Sequence, residues 1–133
     1  MKKIIVLLGG SKVGKTTTIE NVYETLLQKG AVELKAKKTI WGTKSDFEVL
    51  LDYKKLKVAF FSGCDRRNLL EAAIERYKNK SDIFVCSLNN KFQNIGMSWL
   101  SASDSIFKIE KLAKTNADNE KAKNEIISLI NYV

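Results

Sequence analysis

The sequence predicts an α/β protein with a mainly parallel sheet and one antiparallel hairpin strand. Residues 2–8 end in a continuous apolar run that is typical of a strand buried on both faces. Residues 15–28 then carry apolar side chains at three- and four-residue spacing, as an amphipathic helix does. Two short apolar runs, 47–51 and 57–62, follow each other as the strands of a hairpin would. Strands that alternate with helices imply three layers, with helices on both faces of the sheet.

The elements of the first third follow from local patterns. The run 2–8, KKIIVLL, is expected to be the central strand, and Gly30 stands where the 15–28 helix should end. Residues 32–37, VELKAK, alternate apolar with charged side chains, which predicts an edge strand protected by lysines. Residues 39–46, TIWGTKSD, break this pattern and are predicted to form a loop.

The remaining elements complete the alternation. The segment DYKKL between the two hairpin strands predicts a turn of about five residues. A helix is expected from Arg66 to about Lys78, and the apolar run IFVCSL indicates a buried strand over 83–88. The last predicted elements are a short helix near 91–100, a strand over 105–110 and a helix over 118–132.

Length and composition limit the class of protein. The chain has 133 residues, 44% hydrophobic residues and a net charge of +8, which predicts one globular domain. No apolar run approaches the roughly 20 residues of a membrane span, and the first apolar run is too short for a secretory signal because Lys12 interrupts it. Cys64 and Cys86 do not form a disulfide or zinc pattern. We therefore expect a cytoplasmic protein without a membrane partner.

Charge and the absence of histidine narrow the chemistry further. The lysines are scattered and interleaved with acidic residues in the later helices, which favours a solvated surface with a basic bias. A protein or nucleic-acid partner remains open, because positive charge attracts polyanions. Because the chain has no histidine, a reaction here must use carboxylates, hydroxyls, lysines, arginines or a metal ion.

One motif carries chemical information. Residues 9–16, Gly-Gly-Ser-Lys-Val-Gly-Lys-Thr, match G-x-x-x-x-G-K-[ST] between the first strand and the first helix. Glycines there allow backbone N–H groups to turn inward around an anion, and the helix N-terminus adds partial positive charge. The segment resembles the Walker A loop of the P-loop NTPase superfamily. The lysine that partition-type ATPases carry before the glycine pair is replaced here by Leu8.

The resemblance implies a set of nucleotide-binding residues. Lys15 is expected to contact the β- and γ-phosphates of ATP or another nucleoside triphosphate, and the Thr16 hydroxyl to hold Mg²⁺. Thr17 is expected near the α-phosphate, whereas Thr18 is predicted to lie on the helix surface. The loop residues expected around the phosphates are Gly9, Gly10, Ser11, Lys12, Val13 and Gly14.

An acidic residue should lie near the metal ion. Asp65 follows the 57–62 strand and is our preferred candidate, as a metal ligand and catalytic residue, because a parallel strand would end at the phosphate edge. Asp65 also directly precedes a helix, where aspartate is a common N-cap. Asp52 should lie at the opposite edge, and Asp46 is a further alternative. A metal ion held only by Thr16, phosphates and water also remains open.

Other side chains near these loops have weaker signals. Arg66 and Arg67 follow Asp65 and either face solvent or contact a phosphate. The loop 39–46 corresponds in position to switch I of small GTPases and offers Thr39 and Thr43, but the guanine-reading motif appears only in the imperfect form NNKFQ. GTP specificity is therefore unsupported. Trp41 and Trp99 are expected in core packing more than in base stacking.

These observations predict a P-loop protein that binds a nucleoside triphosphate with Mg²⁺ and acts as an ATPase or small phosphotransferase. Small nucleotide kinases also carry a lid and an acceptor-binding segment, for which this chain has little sequence. The alternative is a nucleotide-dependent switch with little turnover of its own, whose output is a protein or nucleic-acid partner.

Overall fold

Six strands and three helices make up the part of the chain that the structure, a computed structural model, describes: residues 1–10, 13–40, 46–63, 67–90 and 103–132. The strands are β1 (Lys3–Gly9), β2 (Val32–Thr39), β3 (Phe47–Tyr53), β4 (Leu56–Phe61), β5 (Ile83–Asn89) and β6 (Ser105–Glu110). The helices are α1 (Lys15–Gln28), α2 (Arg67–Tyr77) and α3 (Asn116–Asn131). The predicted short helix near 91–100 lies outside the described residues.

The strands form a single sheet in the order β2-β3-β4-β5-β1-β6. β5 pairs in parallel with both β4 and β1, and β6 pairs in parallel with β1. Among the described strands, only β3 runs against the others, since it pairs antiparallel with both β2 and β4. This confirms the predicted α/β class with a mainly parallel sheet and one antiparallel hairpin strand. The expectation that β1 is central is wrong, because β1 lies next to the edge strand β6.

Helices cover both faces of the sheet and bury a core on each. α1 and α3 pack on one face against alternate strand residues such as Ile5, Leu7 and Val85. α2 packs on the other face against the intervening residues, among them Ile4, Val6 and Phe84. Strands buried on both faces explain why β1 and β5 read as continuous apolar runs.

The hairpin between β3 and β4 is tighter than predicted. Tyr53 pairs with Leu56, so the turn consists of only Lys54 and Lys55. Both residues have positive φ angles, 49° and 68°, as a two-residue type I′ turn requires. The sequence failed to reveal this turn because Asn-Gly or Asp-Gly is its usual signal. The predicted edge strand β2 is confirmed, and all eight of its residues are exposed.

The chain directions define two functionally different edges of the sheet. At the carboxyl edge the parallel strands end and all three helices begin, whereas at the amino edge these strands begin and the helices end. Gly9 pairs with Asn89 at the carboxyl edge, and Lys3 pairs with Ile83 at the amino edge. Within the described residues, no helix is long and apolar enough to span a membrane.

Candidate functional site

The glycine-rich segment leaves the sheet at the carboxyl end of β1. Gly9 is packed so closely that a Cβ atom there would lie 2.7 Å from Val13 Cγ2 and 2.8 Å from the Lys111 carbonyl oxygen. Because real Cβ atoms do not approach other atoms so closely, the first glycine of the motif is required by space. At Gly10, by contrast, a Cβ would meet no atom of the described residues within 4 Å.

Gly14 is the N-cap residue of α1, and its backbone is left-handed at φ 85° and ψ 26°. Glycine adopts this conformation without the steric cost that other residues have. Among the described residues no side chain caps the helix N-terminus, and the first turn contains no acidic residue. The N–H groups of the first turn, at Lys15, Thr16 and Thr17, therefore face a position where an anion would complete the helix.

The Lys15 side chain folds back over the loop. It is only 5% exposed, and its Nζ donates hydrogen bonds to the carbonyl oxygens of Gly9, at 2.9 Å, and Gly10. An ammonium group has three donors. The two loop carbonyls fix the position of the charge and leave a third donor for an anionic oxygen in front of the helix.

Thr16 connects α1 to the start of β3. Its hydroxyl donates a hydrogen bond of 2.8 Å to Asp46 Oδ1, and the Asp46 carbonyl accepts one of 2.9 Å from Ile40 N–H. Asp46 immediately precedes β3 at the carboxyl edge. The structure thus brings the motif threonine against the carboxylate that the sequence offered only as a secondary alternative.

Two serines hold Asp46 in place. Ser62 is fully buried at the end of β4, and its hydroxyl accepts a 2.8 Å hydrogen bond from Phe47 N–H and lies 3.4 Å from Asp46 Oδ1. Ser87 on β5 donates a 2.9 Å hydrogen bond to the Ser62 carbonyl oxygen. Sequence reasoning missed both serines, although a polar residue near the end of an otherwise apolar strand was a signal for them.

The segment after β6 packs against the glycine-rich loop. Lys111 N–H donates to the Leu8 carbonyl at 2.6 Å, and the buried Lys111 ammonium forms a 2.7 Å ion pair with Asp118. Hydrogen bonds from the Lys111 side chain and the Ala113 N–H lower the pKa of Asp118, although desolvation acts in the other direction. This ion pair holds the carbonyl that packs against Gly9. No local pattern of residues predicted this ion pair.

The other threonines of the motif differ from each other in burial. Thr17 is exposed, so it is accessible to a ligand. Thr18 is fully buried, and its hydroxyl donates to the Gly14 carbonyl at 2.9 Å. The prediction of Thr18 as a helix-surface residue is wrong, because the α3 residue Asn119 packs over it, with its Oδ1 3.5 Å from the Thr18 hydroxyl.

Several predicted site residues are not among those that the structure describes. Ser11, Lys12 and Asp65 lie outside the described residues, as do Thr43, Arg66, Trp41 and Trp99. The strand that precedes Asp65, β4, is parallel to β1 and ends at the carboxyl edge, but β5 lies between β4 and β1. Asp52 pairs with Val32 and Lys57 at the amino edge, on the side that the strand directions predicted.

The oxygen atoms of Thr16 and Asp46 are of the type that could hold Mg²⁺. Among the described residues no group of three or more acidic, cysteine or histidine side chains forms a metal cage. Mg²⁺ commonly uses one or two protein oxygens, with water and substrate phosphates as its other ligands. The Thr16 hydroxyl and the Asp46 carboxylate fit that sparse pattern. Comparisons of the chain with protein-family models, curated proteins and solved structures found no match.

Proposed function

We propose that this chain is a P-loop nucleoside-triphosphate-binding protein, with the three-layer P-loop NTPase fold, that hydrolyses ATP or transfers its γ-phosphoryl group with the help of Mg²⁺. The observation that carries this proposal is the Lys15 ammonium. It is held by the carbonyls of Gly9 and Gly10 in front of a helix N-terminus that no described side chain caps. A buried cation and oriented N–H groups together favour a phosphate group.

The residues around this cation have distinct roles in the proposal. The N–H groups at the start of α1 bind the β-phosphate, and the third donor of Lys15 reaches a β- or γ-phosphate oxygen. Thr16 and Asp46 provide oxygen ligands for Mg²⁺, which when bound neutralises charge on the phosphate oxygens. The Thr16–Asp46 hydrogen bond supports Asp46 as the acidic partner, while Asp65 remains the candidate based on sequence.

The same hydrogen bond favours a second candidate function, a nucleotide-dependent switch. A ligand that takes the Thr16 hydroxyl competes with Asp46, which lies directly after residues 41–45 that connect β2 to β3. Nucleotide binding at α1 would then change how this connection is held. The switch predicts slow turnover by the protein alone and a large increase when its partner is added, whereas an enzyme predicts turnover without a partner.

Removing the Lys15 cation tests the binding proposal. Lys15→Ala should weaken ATP binding at least about ten-fold, because hydrogen bonds to charged groups contribute about 1.5–3 kcal/mol. The measurement is titration calorimetry with ATP and Mg²⁺, and circular dichroism checks that the fold is intact. Lys29→Ala, just beyond the other end of α1, is the matched control and should bind ATP normally. Equal affinity of Lys15→Ala and the native protein would contradict the proposal.

A further inference from the structure

Lysines are concentrated at the amino edge of the sheet, whereas Lys15 lies at the opposite, carboxyl edge. Six of them are exposed there: Lys2, Lys29, Lys54, Lys55, Lys57 and Lys80. None of these six forms an ion pair within the described part of the chain. A seventh, Lys78, pairs with Glu75. The exposed acidic residues at this edge include Asp52, Glu33, Glu75 and Asp104. Seven exposed lysines outnumber them, so positive charge predominates.

Asp82 joins the starts of three strands at the amino edge by hydrogen bonds. Its carboxylate accepts a 2.9 Å hydrogen bond from Lys57 N–H, and its own N–H donates to the Lys57 carbonyl at 2.8 Å. The Asp82 carbonyl in turn accepts hydrogen bonds from the N–H groups of Lys2 and Lys3. The beginnings of β4, β5 and β1 are thereby fixed side by side, about 4.8 Å apart per strand.

The hairpin turn supplies an independent observation. Lys54 and Lys55 both occupy left-handed backbone conformations, at φ 49° and 68°, where glycine or asparagine is favoured. Two adjacent lysines are therefore present at a position where they oppose the stability of the turn. A function for their charge accounts for this choice.

Complementarity to helix dipoles accounts for only part of the cluster. Lys29 and Lys78 follow the C-termini of α1 and α2, where cations offset the partial negative charge of the helix end. Lys54 and Lys55 lie on a hairpin and share a hollow with Asn131 at the C-terminus of α3, so this helix end accounts for part of their charge. It does not account for lysine, rather than glycine or asparagine, at both left-handed positions of the turn.

Two shallow hollows run along the same edge. One has a volume of about 200 Å³, and the residues that line it include Lys2, Lys3, Asp82, Phe107 and Tyr132. The other has about 220 Å³ and is lined by Tyr53, Lys54 and Lys55. Both include Leu56 and Ile130, so the hollows adjoin over an apolar floor with lysines at each end. The Tyr132 ring is 74% exposed.

We propose that this amino-edge groove binds single-stranded nucleic acid without reading its sequence. Phosphates would contact the exposed lysines at the two ends, and an unpaired base would stack on Tyr132 above the apolar floor. Single-strand binding sites combine a positive groove with aromatic surfaces in this way. A duplex would present only phosphates and leave the floor and Tyr132 unused.

The hairpin allows a test in which stability and binding change in opposite directions. Lys54→Asn combined with Lys55→Gly installs the favoured type I′ turn, so the urea midpoint of unfolding should rise. The same variant should bind a labelled oligothymidylate about ten-fold more weakly at ~0.15 M salt, since each phosphate contact to a single strand contributes a salt slope of about 0.7. The slope of log affinity against log salt should fall by about 1.4.

A second variant and a control separate this site from general charge effects. Tyr132→Ala should weaken binding about ten-fold with an unchanged salt slope, because stacking releases no counterions. Lys108→Gln with Lys121→Gln removes the same charge from the groove between β6 and α3, and binding should stay within about two-fold.

The inference does not depend on the nucleotide proposal, and its measurements are made without ATP or Mg²⁺. Lys15→Ala should bind the oligonucleotide normally even though it loses ATP. Three results would overturn the inference: equal losses in the hairpin variant and the control, tighter binding to a duplex of the same length, or binding only to vesicles of anionic lipid.

Discussion

The two adjacent glycines that open the glycine-rich segment, Gly9 and Gly10, should respond oppositely to substitution by alanine. At Gly9 a Cβ would lie 2.7 Å from a Val13 methyl and 2.8 Å from the Lys111 carbonyl. The methyl belongs to a side chain that can rotate, but the carbonyl is part of a backbone segment held by the Lys111–Asp118 ion pair. Gly9→Ala therefore has to displace backbone at the loop.

The size of each effect follows from these contacts. Overpacking of a closely packed site typically destabilises by about 1–3 kcal/mol, and the backbone contact places Gly9→Ala toward the upper part of that range. Gly10 meets no described atom within 4 Å and is not among the described residues with positive φ. Gly10→Ala should therefore stabilise by about 0.4–1 kcal/mol, through the lower entropy of the unfolded chain.

Urea unfolding followed by circular dichroism measures both free energies, and ATP calorimetry measures the state of the loop. Gly9→Ala should lose stability and ATP affinity together, because the displaced segment carries the carbonyl that positions Lys15. Gly10→Ala should gain stability and retain its ATP affinity. Equal destabilisation by Gly9→Ala and Gly10→Ala would contradict the prediction that close packing makes glycine necessary at Gly9.

Two further predictions concern carboxylates. Asp46→Asn still accepts the Thr16 hydrogen bond but loses its charge, so Mg²⁺-dependent turnover should fall about ten-fold or more, equivalent to about 1.4 kcal/mol in the barrier. Asp52→Asn at the amino edge should leave turnover unchanged, whereas sensitivity at Asp65 in place of Asp46 would restore the candidate based on sequence. For Glu48, burial raises the pKa, but hydrogen bonds from Tyr77 and Arg76 outweigh it and hold the pKa below its usual value. This depressed pKa stabilises the fold above the pKa of the unfolded chain, and the contribution disappears as the pH falls through the folded value. Without the Arg76 guanidinium the folded-state pKa of Glu48 should rise, so in Arg76→Gln the free energy of unfolding should begin to fall at a higher pH. Urea unfolding across the acid range measures this shift. An unchanged pH profile would contradict the prediction.

The sequence alone determined the sheet class and the place of the glycine-rich segment between β1 and α1. Both are encoded locally, because doubly buried strands read as continuous apolar runs and the motif requires glycines within a few residues of each other. The motif also identified Lys15 and Thr16. The structure describes both residues at the start of α1, although what binds them remains a proposal.

Only the tertiary structure decided which distant residues meet. Thr16 and Asp46 are 30 residues apart, and the Lys111 carbonyl packs against Gly9 from the far end of the chain, so no local pattern revealed either contact. The same reason explains the lysines. They are scattered in sequence, but strand starts, a hairpin turn and helix ends all meet at the amino edge of a parallel sheet, where the fold gathers their charge.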